Sequence, residues 1–153
     1  MFGGRATGTF SASSASHQLF LGMVCLLAGL AATPDATEAL DGLDATTQTL
    51  LVEAVEAASA LDLLYSRCRG DLSERRTENL NKLVATKFRL TVLTVKDELF
   101  PEQDYRRAQQ RLEQDFATLL QDVGGCQGAK TSGLPETLRV RYDAALNAIR
   151  SLP

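Results

Sequence analysis

Four stretches of this chain carry apolar residues at helical spacings of three and four, in strict alternation in the first and fourth, the repeat that lines one face of an α-helix. The first runs Leu50, Ala54, Ala57, Leu61, Leu64, Cys68 and is closed by Gly70. The second carries Leu80, Leu83, Val84, Phe88, Val92, Val95 and Leu99. The third has Tyr105, Ala108, Leu112, Phe116, Leu119 and Val123 before Gly124-Gly125, and the fourth Leu138, Tyr142, Ala145, Ile149 and Leu152. Helices are therefore expected at about 45–68, 72–99, 102–123 and 135–152. Short connections between them favour antiparallel neighbours, so the expected fold is all-α, an up-down antiparallel four-helix bundle.

Boundary signals support these ranges. Asp71-x-x-Glu74 reads as a capping box opening the second helix, with Asp in place of Ser or Thr. Leu90–Val95 (LTVLTV) is rich in β-formers. Strong helix formers flank it and no turn signal interrupts it, so the second helix is read straight through. Pro101 is expected in the first turn of the third helix and Pro135 at the start of the fourth. The Gly, Lys, Thr and Ser residues between them read as a loop.

The N-terminus has a different character. Residues 1–34 contain no Asp or Glu, and Leu19–Ala32 is a run of fourteen apolar or small residues. That is short of the roughly 20 residues that span a bilayer. It suits the apolar region of a secretory signal, with Gly29 and Ala31 supplying small residues before a cut after Ala31. Residues 1–31 are thus expected to be a cleaved signal and 32–153 a single helical domain, with no stable membrane insertion after cleavage. Cys25 lies mid-run, after Gly22-Met23-Val24, and reads as part of the signal, not as an acylation site.

Removing the signal takes the one histidine, His17, both methionines and one of the three cysteines, and the chain has no Trp. With Arg5 gone, 15 basic residues face 19 acidic ones, a net −4 that speaks against nucleic acid as a partner. Without histidine there is no Ser-His-Asp or Cys-His pair and no imidazole for zinc or haem. No phosphate-binding glycine loop or nucleophile elbow is present. No catalytic residue, metal site or cofactor is expected, and the chain does not read as an enzyme.

Cys68 ends the first helix and Cys126 follows the third. In an up-down bundle those helices are parallel, which brings both thiols to one pole. An oxidising compartment, periplasmic or extracellular, would join them. The pair would close a loop of about 59 residues, worth roughly 4 kcal/mol of unfolded-state entropy. That suits a core with only three Phe and three Tyr residues outside the signal.

Three surface features invite a functional reading. Asp35, Glu38, Asp41, Asp44, Asp97, Glu98, Glu102 and Asp104 are expected at the pole opposite the disulfide, as helix-start acids or as a face for a basic partner. Arg67, Arg69, Arg75 and Arg76 gather near the disulfide with Asp71, Glu74 and Glu78 among them, which reads as surface ion pairing. The third helix mixes Arg106, Arg107 and Arg111 with Glu102, Glu113 and Asp115. Tyr65, Tyr105 and Tyr142 fall on or beside the apolar stripes. The expectation is a non-enzymatic module that binds another protein, as adaptor, inhibitor or chaperone. The alternative is a bundle binding a small apolar ligand, with Ala54, Ala57, Ala108 and Ala145 leaving room inside.

Overall fold

A computed structural model describes residues 36–153, and these form helices α1 (Ala36–Asp41), α2 (Ala45–Arg69), α3 (Arg75–Phe88), α4 (Val92–Glu98), α5 (Tyr105–Asp122), α6 (Gly125–Thr131) and α7 (Leu134–Ser151). No strand occurs among the described residues. The signal assigned to residues 1–31, with His17 and Cys25, lies outside them, as does Asp35.

The central element is α2, which packs against α3, α4, α5 and α7. Its expected stripe widens accordingly. Ala54, Ala57, Leu61 and Leu64 are buried as spaced, and Leu51, Val55 and Ala58 bury a second, adjacent line. The helix starts where Asp44 accepts the Thr47 backbone N–H at 3.0 Å and the Thr47 hydroxyl at 2.8 Å. It stops at Gly70, whose φ of 69° costs a glycine little, with the Gly70 N–H on the Ser66 carbonyl.

The expected second helix is two helices. Arg89 turns left-handed (φ 61°), and Thr91 is extended with its Oγ1 accepting the Thr94 N–H at 3.0 Å as the N-cap of α4. Asn81 Oδ1 takes the Val92 N–H at 2.9 Å. The β-branched run resists helix, and the break lets Leu90, Val92 and Val95 all turn inward.

The start of that segment also differs from the expected capping box. Asp71 accepts the Ser73 N–H at 3.1 Å in a local turn, Glu74 is left-handed (φ 46°), and α3 begins only at Arg75. The open N–H groups of Arg76 and Thr77 are met by Asp62 of α2, at 3.2 and 2.8 Å. A helix terminus with no local acceptor must find one elsewhere, and here it reaches across to a neighbouring helix.

The third expected helix begins later, at Tyr105, capped by Asp104 on the Arg107 N–H at 2.9 Å; Pro101 lies in the preceding turn. The expected loop after it contains α6. Gly128 is indispensable there, because a Cβ on it would sit 1.5 Å from the Val123 carbonyl oxygen. The stretch ahead of α2, where no helix is expected, contains α1, which buries Leu40. Pro135 sits in the first turn of α7, as expected. At the other end of α7, the Lys87 ammonium of α3 donates to the carbonyls of Arg150 and Leu152.

Cys68 and Cys126 are joined in a disulfide, with Cα atoms 5.4 Å apart, linking the end of α2 to α6. Among the described residues no helix is long and apolar enough to cross a membrane.

Candidate functional site

The acids expected at the pole opposite the disulfide are largely engaged in structure. Asp44 and Asp104 cap helices, and Asp97 Oδ1 accepts the Tyr105 N–H at 3.1 Å. Glu102 bonds Arg111 Nε at 2.7 Å. Asp44 is held below the ordinary carboxylate range chiefly by the Thr47 backbone N–H and then its hydroxyl. Among the described residues no group of three or more His, Cys, Asp or Glu side chains is placed to hold a metal ion.

The arginines near the disulfide divide. Arg76 lies over the Tyr65 ring at 3.8 Å and pairs with Asp62 at 3.5 Å and Asp71 at 3.8 Å. Arg69 lies over the same ring at 4.5 Å. Arg111, from the mixed face of α5, reaches Glu102, Asp115 and Glu56 of α2, while Arg141 of α7 meets the other oxygen of Glu56 at 3.1 Å. Glu56 thereby bridges α5 and α7. Tyr142 is buried, donates its hydroxyl to the Arg76 carbonyl at 3.1 Å, and is pushed above its usual range by burial, with Asp62 adding to it. Tyr105 is exposed and Tyr65 half-buried.

The most unusual polar group is one the sequence reading passed over. Lys96 of α4 is 8 % exposed and makes no ion pair among the described residues. Its ammonium donates to Gln109 Oε1 at 2.7 Å, and Gln109 in turn donates to Glu113 at 2.8 Å. Burial pulls Lys96 below the usual lysine range, against the opposing pull of Glu74 and Glu113. Near it, Ser59 of α2 is 5 % exposed and its Oγ has no hydrogen-bond partner.

Both side chains line a cavity of about 160 Å³ bounded by α2, the α2–α3 turn, α3, α4 and α5, with Asp62, Glu74 and Thr77 among its walls. A second, shallower groove of about 410 Å³ shares Glu74, Thr77 and Lys96 and continues over Glu78, Leu93 and Tyr105. Around these hollows stand the most exposed large apolar side chains of the region, Leu72 at 80 % and Leu93 at 55 %.

A faint sequence signal for this site exists. Lys96 follows Val92 by four, a position where the α4 stripe calls for an apolar residue, and Asp62 follows Ala58 by four on the second line of α2. Comparison of the chain with protein-family models, with curated protein sequences and with solved structures gives no match.

Proposed function

We propose that this protein is a non-enzymatic protein-binding module, exported after removal of residues 1–31, whose partner docks over the groove between the start of α3 and α4. The observation that carries this reading is the pairing of a groove of about 410 Å³ with the exposed Leu93 on its wall, while exposed Leu72 lines the adjoining 160 Å³ cavity. Glu74 and Glu78 on its walls favour a partner segment that mixes apolar side chains with a basic one. The Cys68–Cys126 bond fits a periplasmic or extracellular setting. In this reading α2, the α3–α4 pair, α5 and α7 are the four members of an up-down bundle, and α1 and α6 are additions to it.

The apolar-ligand alternative has less support. Ala54, Ala57, Ala108 and Ala145 are buried against neighbouring helices, and the 160 Å³ cavity is walled mainly by polar side chains.

Placing a photo-crosslinking residue at Leu93, with another at exposed Arg139 on α7 as control, tests the proposal in the native host. A partner captured from position 93 and absent from position 139 is expected, and Glu78→Lys, on the groove wall and outside the 160 Å³ cavity, should weaken its capture. Equal labelling from both positions, or none from position 93, would refute the reading.

A further inference from the structure

Within the 160 Å³ cavity one buried hydroxyl has no hydrogen-bond partner among the described residues, and one buried ammonium has a single partner. Ser59 Oγ has none, and Lys96 uses one of its three N–H donors on Gln109 and meets no carboxylate within ion-pair distance. A hydroxyl and an ammonium with open donors on the wall of one hollow suit an occupant that accepts hydrogen bonds.

The charges on the walls narrow that occupant. Asp62 is neutralised by Arg76 and by two backbone N–H groups, and Asp71 also pairs with Arg76. Glu74 has no side-chain hydrogen bond or ion pair, and it sits in a left-handed conformation that a glutamate adopts at a cost. One cation, buried, and one carboxylate, exposed at the rim, therefore line the same small space without a direct ion pair between them, Glu74 acting on Lys96 only at longer range. A simple carboxylate would be repelled by Glu74, and a simple amine by Lys96. A hollow of about 150 Å³ holds a benzene ring, which sets the size at roughly six to eight heavy atoms.

We infer that the cavity bounded by Ser59, Glu74, Lys96 and Gln109 binds a small zwitterion of the free α-amino-acid class. The ligand's carboxylate accepts hydrogen bonds from Lys96 and Ser59, and its ammonium faces Glu74. Lys96 is held in place beforehand by the chain through Gln109 to Glu113, so little side-chain freedom is lost on binding. This site shares Glu74, Thr77 and Lys96 with the outer groove, and its test on the purified chain alone reads amino-acid binding apart from protein docking.

Calorimetric titration of residues 32–153 with glycine, alanine and serine, beside propionate and alaninamide, tests the inference. Saturable binding of at least one amino acid with a Kd below about 1 mM is expected. Propionate and alaninamide, each lacking one charge, should bind about tenfold more weakly or worse. Lys96→Met should abolish binding. Glu74→Gln, at an exposed position, should weaken alanine while leaving propionate unchanged or improved. Absence of saturable binding for all three amino acids overturns the inference. So does propionate equal to alanine, or retention of alanine affinity in either variant. Should Lys96→Met fail to fold by circular dichroism, Glu74→Gln and Ser59→Ala decide the matter on their own.

Discussion

Asp62, in the third quarter of α2, caps a helix it does not belong to: its Oδ2 accepts the backbone N–H of Thr77 at 2.8 Å. The same carboxylate accepts from Arg76 N–H and pairs with the Arg76 guanidinium. One buried side chain thus fixes the start of α3 and the entry of the chain after the α2–α3 turn. Asp62→Ala should cost about 2 kcal/mol or more, the sum of a lost cap and stranded donors. Asp62→Asn, which keeps acceptor oxygen on one side only, should cost less. Urea unfolding of both variants checks the order; equal losses would show that a single neutral acceptor recovers nothing and that the charge and the second acceptor carry the whole effect.

Gly128 offers a contrast within one short segment. A methyl group there would overlap the Val123 carbonyl, and because that atom is backbone it can yield only if α6 moves away from the end of α5. Gly128→Ala should cost about 3 kcal/mol, in the range of severe steric lesions. Gly133, at φ 74°, has open space around its missing side chain, and Gly133→Ala should cost only the left-handed penalty, about 1 kcal/mol. Thermal melts of the two variants should differ by several degrees in that order.

The disulfide spans 58 residues of sequence. Closing a loop of that length removes unfolded-state entropy worth about 4 kcal/mol. Cys68→Ser with Cys126→Ser should lower stability by that order, and reduction of the native protein should do the same. A loss under about 1 kcal/mol would mean that the helices hold this pole without the bond.

Lys96 sets a pH signature. Its proton is released more readily in the folded chain than in the unfolded one. Between the lowered folded value and the unfolded value of 10.5, the unfolded chain therefore binds more protons, and stability rises with pH across that window. Tyr142, raised on folding, acts in the opposite sense above its ordinary range, so the lysine is read from the difference between native protein and Lys96→Met. The variant should be more stable at neutral pH, by about 1 kcal/mol, and should lack the alkaline rise. Denaturation at pH 7, 8, 9 and 10 measures it.

Long-range apolar spacing carried most of the fold. The stripe from Leu50 to Cys68 placed α2, and Leu138 to Ile149 placed α7, because a helix buried on one face writes its period directly into the residues. What spacing could not carry were the breaks. Leu90–Val95 keeps an apolar pattern on both sides of the Arg89 turn, so periodicity runs across a boundary that Thr91 capping makes. The start of α3 was misplaced for a related reason: its acceptor, Asp62, lies fourteen residues earlier, beyond the reach of any local capping pattern. The candidate site was hidden in the same way. Lys96, Ser59 and Glu74 come from three separate parts of the chain, and only Lys96, four residues after Val92 on an apolar stripe, stands out from its neighbours in the sequence.

The bond between Cys68 and Cys126 also divides the chain into a ring and two tails. Helices α3, α4 and α5 lie inside the covalent ring, while α7 hangs from it through the end of α6. A protease that nicks the α2–α3 turn or the turn before α5 leaves a single covalent molecule until reductant is added. A cut between Cys126 and Leu134 releases α7, the helix that buries Leu138, Tyr142 and Ile149 against the rest. A single clip within 127–133, unlike one in the turns of the ring, leaves α7 held by packing alone.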